Sequence, residues 1–229
     1  MYRERMSGLT GATVWTVTRA AGAKPGRVLP DGCMDLIWSS RSGLLVAGPD
    51  TVAQVAADPD EVRYVGLRFP PGTGPAVFGL PAYELRDRRV PLADLWPGAT
   101  VTELTERMAS HEHPGRLLES LASARLAFSG GPDPIAADVV AGFVAGRDVA
   151  DTADAVGLGT RQLHRRSLAL FGYGPKTLAR ILRMRQALAL ARAGTPAAEV
   201  AFRTGYADQA HLSREVKSLA GVPLRGLVG

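Results

Sequence analysis

The sequence predicts an α+β fold in two unlike halves. A small barrel-like β domain is expected over residues 1–100, a helical linker or dimerisation segment over 101–131, and an all-α domain with two helix-turn-helix units over 132–229. Three observations carry that expectation. Ala153, Gly157, Leu163, Arg165 and Gly172 reappear as Ala201, Gly205, Leu212, Arg214 and Gly221, offset by 48 residues for the first two and 49 for the rest. One supersecondary unit is therefore used twice, with a single residue inserted inside it. Charge is lopsided: residues 1–131 hold 14 basic and 14 acidic side chains, whereas 132–229 hold 13 and 8, the whole of the net +5. Before residue 100, short apolar or alternating runs are separated by dense Gly, Pro and Asp punctuation, as in small antiparallel domains.

The N-terminal strands are read from alternation. Val14–Thr18 and Arg63–Phe69 alternate or nearly so, and Leu44–Ala47 and Val52–Val55 are short apolar runs. Turns fall at Leu29–Gly32, Gly48–Asp50, Phe69–Gly72 and Gly79–Pro81. Two helices follow, Val101–Ser110 and Pro114–Phe128. The second sets Leu117, Leu118, Leu121, Ala124, Leu126 and Phe128 largely along one side, which fits either a dimer contact or a brace between domains. Ser129-Gly130-Gly131-Pro132-Asp133-Pro134 is the clearest boundary in the chain.

Beyond it, Ile135–Ala145 turns Ile135, Val139, Val140 and Phe143 inward. Val149–Val156 and Thr160–Leu170 form the first unit, Ala197–Thr204 and Gln209–Leu219 the second. In each, Ala lets the helices approach, Gly supplies a left-handed turn residue and Leu anchors the second helix. The Arg two residues past that Leu must face away from the core. Thr195 and Pro196 read as a cap followed by a first-turn proline. Between the units, Pro175–Ala193 sends Leu178, Ile181, Leu182, Leu188 and Ala189 toward the core and Lys176, Arg180 and Arg183 to another face. Arg185, on the apolar side, reads as a structural ion-pairing residue. This helix spans roughly 28 Å, comparable to the ~34 Å between successive major-groove faces on one side of a duplex.

Composition narrows the function further. The 229 residues suffice for two cores. No apolar run has membrane-spanning length, and Met1–Arg5 is polar and charged, unlike a secretory signal. The single cysteine, Cys33, excludes an internal disulfide and fits a reducing cytoplasm, so a cytoplasmic protein with no membrane partner is expected. Four histidines and one cysteine make no zinc set, and His111-x-His113 reads as an exposed helix end. With no nucleophile elbow or phosphate-binding glycine loop either, neither enzyme activity nor a cofactor is expected. Eight basic residues and no acidic one lie between Ala155 and Ala198. That is the footprint of a nucleic-acid binder, the alternative being a solvated helix face.

The stretches Gly172-Tyr173-Gly174-Pro175-Lys176-Thr177-Leu178 and Gly205-Tyr206-Ala207-Asp208-Gln209-Ala210-His211-Leu212-Ser213-Arg214-Glu215-Val216-Lys217 resemble the AraC/XylS family of bacterial transcription regulators, over residues 133–226. The resemblance implies seven helices, with two helix-turn-helix motifs joined by a long helix. Double-stranded DNA is the implied partner, with RNA polymerase and a second copy of the chain as further ones. By the family's pattern, bases are read by Arg161, His164 and Arg165 in the first motif and by Gln209, His211 and Arg214 in the second. Arg suits guanine O6 and N7, and Gln suits adenine N6 and N7. Arg166, Lys176, Arg180 and Lys217 are read as phosphate contacts. A structural role stays open for Arg165, Arg214, His164 and His211. The chain departs from the family at Ser167, where a core aromatic is usual, and at Gly159, which leaves Thr160 as the substitute cap.

Leu29–Trp38, Ala47–Thr51 and Gly66–Phe69 with Pro71-Gly72 are similar to a sensor-like domain often found ahead of this DNA-binding unit. A small effector is expected inside the barrel or at its mouth, with Trp15, Asp35, Trp38, Tyr64 and Arg68 as candidate linings, although Trp38 and Phe69 suit a core equally. Two other readings stay open. One is a constitutive DNA-binding regulator whose N-terminal domain only dimerises. The other is an alkylation-repair protein using Cys33, disfavoured because Asp31 and Asp35 oppose a thiolate there.

Overall fold

The computed structural model describes Tyr2–Val228; Met1 and Gly229 lie outside the described residues. The N-terminal unit comprises β1 Tyr2–Met6, β2 Thr13–Arg19, β3 Gly26–Val28, β4 Met34–Ser39, β5 Gly43–Ala47, β6 Gln54–Ala56, β7 Val62–Phe69, α1 Gly74–Phe78, β8 Arg89–Pro91, α2 Gly98–Ser110 and α3 Pro114–Ser129. Six strands form one antiparallel sheet in the order β1-β2-β7-β4-β5-β8, and β3 pairs β6 in a separate ribbon. The sheet is open, which corrects the barrel expectation. Its edges β1 and β8 do not pair with each other; helices, rather than sheet closure, complete the core. The edge strand β1, Tyr-Arg-Glu-Arg-Met, is exposed along its whole length, and such charge discourages pairing with another chain.

Pleating sends alternate residues to opposite faces. Val14, Leu36, Trp38, Val46, Val65, Leu67 and Phe69 point to the helix-covered face. There they join Val77 and Phe78 of α1, Leu104 and Met108 of α2, and Leu118 and Ala122 of α3. The segment read as a linker thus packs as part of the N-terminal core. On α3, Leu118 and Ala122 are buried and Leu117, Leu121 and Leu126 pack half-buried against the same core, whereas Ala124 is exposed and Phe128 is 84% exposed. The strand expected at Val52–Val55 is the three-residue β6.

The C-terminal unit follows the sequence reading closely: α4 Ile135–Val144, α5 Val149–Ala155, α6 Thr160–Phe171, α7 Pro175–Arg192, α8 Ala197–Arg203, α9 Gln209–Ala220 and the short α10 Arg225–Val228. Val139, Phe143, Leu163, Leu178, Ile181, Met184, Val200, Leu212 and Val216 centre its core. Ala189 is exposed rather than inward. The turns of the two motifs use left-handed glycines, Gly157 at φ 68° and Gly205 at φ 72°. Both close with the same backbone bond, Leu158 N–H to Ala153 O and Tyr206 N–H to Ala201 O, each 2.9 Å. The inserted residue is therefore Ala207, just before the cap of α9. That cap is Asp208, whose carboxylate accepts the His211 N–H at 2.6 Å. In the first motif Gly159 holds the cap position and Thr160 is already helical, which corrects the expected Thr160 cap. Gln162 Oε1 accepts the Gly159 N–H at 2.9 Å instead.

The two units meet directly. A Cβ built on Gly72 would lie 2.6 Å from Ala136 Cβ and 3.0 Å from Phe171 Cε1; one on Gly172 would lie 2.6 Å from Pro49 Cγ. Leu29 packs at the margin of the helical core. Among the described residues no helix is long and apolar enough to cross a membrane.

Candidate nucleic-acid interface

Leu163 and Leu212 are fully buried and fix the rotation of α6 and α9 about their axes. Two residues on, Arg165 and Arg214 are exposed, as the spacing requires. With Arg161 and Gln209 they share a second property: among the described residues none of these four has an intramolecular ion pair or side-chain hydrogen bond. All four lie in the first two turns of their helices. Exposed arginines without an internal counter-charge suit an anionic partner from outside the chain, and at Arg161, in the first turn, the helix dipole adds to that preference. Lys176 in the first turn of α7 and Lys217 near the end of α9 are likewise exposed and unpartnered among the described residues.

The other sequence-expected contacts are engaged within the fold. Arg166 pairs with Asp133. Arg180 grips Glu215 through Nε at 2.7 Å and Nη2 at 3.2 Å, and reaches Ser218 Oγ at 3.1 Å, tying α7 to α9. The His211 ring stands edge-on to Tyr206 at 5.3 Å while its Nδ1 accepts the Ala207 N–H at 3.3 Å. The His164 ring lies over the turn at Gly174, where an added Cβ would approach it to 2.8 Å. Arg185 makes no ion pair among the described residues, contrary to expectation; it is exposed and donates to the Asp31 backbone carbonyl at 3.3 Å. The partners Asp133 and Glu215 are the residues that sequence reasoning did not connect.

In the N-terminal unit, Trp15, Asp35 and Arg68 come together on the sheet face opposite the core. The Trp15 indole lies over Gly66 and donates to Asp35 Oδ1 at 2.6 Å, and Tyr2 stacks on it at 6.2 Å. Arg68 sits among Glu4 at 3.3 Å and Asp31 and Asp35 at 3.6 Å each. Burial pushes the Asp35 carboxyl up to about 6 against the pull of Arg68, with Asp31 adding to the rise. Tyr64 lies farther along β7 and donates to Asp58 Oδ1 at 2.6 Å. Trp38 is a core residue on the opposite face, 7% exposed, so it cannot line a site with the other four. Two surface clefts, of about 300 and 450 Å³, are lined by other residues, among them Arg63, His113 and Arg116 in the first and Leu95, Trp96 and Arg125 in the second. Cys33 is buried, and burial, with Asp31 beside it, drives its thiol pKa upward.

Comparison with known proteins matches both units. Residues 152–227 match a helix-turn-helix domain family, and residues 12–91 match a domain of unknown function, DUF6597. No curated protein matches the chain in sequence. The fold is similar to that of ToxT from Vibrio cholerae O395, with a TM-score of 0.50 and 10% identity over 95% of this chain and 98% of that one. An apo variant of ToxT from Vibrio cholerae strain SCE256 gives a TM-score of 0.50 and 12% identity over 99% and 98% of the two chains. With two helix-turn-helix motifs on a shared long helix, the chain carries a helix-turn-helix domain of AraC type preceded by a DUF6597 domain.

Proposed function

We propose that this protein reads two adjacent major-groove segments of one operator, α6 entering the first and α9 the second, in response to a small effector acting on the N-terminal domain. The observation that carries the reading is the equivalent placement of Arg165 and Arg214, each exposed and, among the described residues, unpartnered, on the two second helices. Arg161 and Gln209 complete the base-reading set, and Lys176 and Lys217 contact phosphates. Arg166 and Arg180 join them only by leaving their carboxylate partners, and His164 and His211 shape the turns. Catalysis has no part in this reading, since the Cys33 thiol is buried and held protonated. The protein works in the cytoplasm, with RNA polymerase and a second copy of the chain as further partners.

The effector is assigned to the Trp15–Asp35–Arg68 face because it joins aromatic surface to hydrogen-bonding groups beside the loop that touches α7. An effector regulates only if it binds the DNA-competent and incompetent states with different affinity. The test is footprinting of the full chain on selected duplexes. Protection of two segments about one helical turn apart supports the reading. A single short footprint, unchanged in Arg214→Ala, overturns it.

A further inference from the structure

The carboxyl ends of both reading helices are held by the N-terminal domain. A helix leaves its last carbonyls without intrahelical partners, and it carries partial negative charge at that end. Just past α6, Arg86 Nη1, which follows the turn at Ala82–Leu85, donates at 3.3 Å to the carbonyl of Gly172, the left-handed residue that ends the helix. At the end of α9, Arg27 Nη1 of β3 donates to Ala220 O at 3.0 Å, and the Ala53 amide, just before β6, donates to Leu219 O at 2.7 Å. Gly172 and Gly221 are repeat-equivalent C-caps, both left-handed, at φ 83° and 72°. Their missing side chains admit the visitors: a Cβ on Gly172 would meet Pro49, and one on Gly221 would come to 3.0 Å from Arg27 Nη1.

These contacts lie beyond the turns that hold Arg161, Arg165, Gln209 and Arg214, so the N-terminal domain does not occupy the base-reading turns. Inside the helical domain, α9 is tied to α7 through Arg180 and Glu215. Together with the packing of Leu212, Val216 and Leu219 in the core, the contacts from the N-terminal domain hold the far end of α9 from a further direction.

We propose that Arg27 and Arg86 are positioning residues for DNA recognition: by holding the C-terminal ends of α9 and α6 to the N-terminal domain, they set the distance and angle between the two reading helices. The proposal rests on the two-helix reading above. It follows that the N-terminal domain, though it supplies no net positive charge, determines which spacing between half-sites the protein accepts.

The experiment uses the full chain. A site is selected from randomised duplexes, and affinity is then measured on that site and on versions with one or two base pairs added or removed between its halves. Wild-type protein should lose about tenfold or more at altered spacing, because half-site separation is set by protein geometry. Arg27→Ala with Arg86→Ala should flatten that penalty to roughly threefold while keeping the base preference of each half and the salt dependence. Arg27→Lys with Arg86→Lys, which retains charged donors, should recover most of it, and thermal unfolding checks that all variants are folded. A wild-type protein that selects no bipartite site overturns the two-helix reading and this proposal with it. A bipartite site with the same spacing penalty in the wild type and the folded alanine double variant overturns this proposal alone.

Discussion

Arg165 and Arg214 were legible because the repeat aligns them and a buried leucine two residues earlier fixes their direction. Replacing either with Ala should weaken specific binding by roughly 1–3 kcal/mol and relax preference at one base position only, different for each. Lys176→Ala or Lys217→Ala should weaken binding to all sequences alike and lower the salt slope by about one unit. Titrations of matched and single-substituted duplexes across salt separate the two classes; equal loss on every duplex for both arginines would refute base reading. The engagement of Arg166, Arg180 and His211 was not legible. Their partners Asp133 and Glu215 are 33 and 35 residues away, and the His211–Tyr206 contact is made across the turn before α9. Ser167 carries a further residue-scale expectation. It is fully buried and, among the described residues, its hydroxyl has no hydrogen-bond partner. An unpaired buried hydroxyl is costly, so Ser167→Ala should be neutral to stabilising by about 1 kcal/mol, read as an unchanged or raised melting temperature.

Elements were recovered where periodicity survives in the sequence. The eight helices between Gly98 and Ala220 show it, with ends within a few residues of expectation, because each has an amphipathic stripe and Gly or Pro punctuation. β4 does not: Met34–Ser39 is buried on both faces, and an apolar run without alternation gives no strand period. β1 fails for the opposite reason, being exposed throughout. The open sheet was not legible either, since strand spacing is the same for a barrel and for a sheet capped by helices. The central strands do bring one element-scale prediction. Asp35, on β4 between Trp15 and Arg68, has its carboxyl raised to about 6 in the folded protein from an ordinary 3.8. The folded state then binds more protons than the unfolded state between those values, so this group's contribution to stability is greatest at low pH and falls as pH rises from about 4 to about 6. Asp35→Asn keeps an acceptor for the Trp15 N–H and removes the titration, so it should flatten the profile in that window, by on the order of 3 kcal/mol. Glu119 acts with the opposite sign. Arg5 holds its carboxyl down at about 2 from 4.5, so its stabilisation is present above 4.5 and is lost as pH falls below that. Denaturant midpoints of wild type and Asp35→Asn across pH 3.5–7 test this; parallel profiles would exclude Asp35 as the titrating group.

At the scale of the whole molecule, what holds the halves together is nearly invisible in the sequence. Arg27 and Ala220 are 193 residues apart and Arg86 and Gly172 are 86 apart, and in both pairs the acceptor is a backbone carbonyl, which any residue offers. Charge, in contrast, is fully legible and assigns the electrostatics to one half. The helical core lies within residues 136–224, with Leu29 touching only its margin, so a fragment 132–229 has a core of its own. That fragment should fold as a highly helical domain and bind duplex DNA with affinity that falls steeply as salt rises. Its salt slope should stay within about one unit of the full chain's, because residues 1–131 supply no net positive charge. What it should lose is geometry. Without Arg27, Ala53 and Arg86, the carbonyls at the ends of α6 and α9 face solvent, and only contacts within the helical domain orient the motifs. The fragment should therefore bind sites of altered spacing more evenly than the full chain does, while keeping the base preference of each half. Circular dichroism and binding titrations on the fragment and the full chain decide the matter. An unfolded fragment, or a folded one that binds without regard to salt, would overturn the assignment of DNA affinity to the helical half.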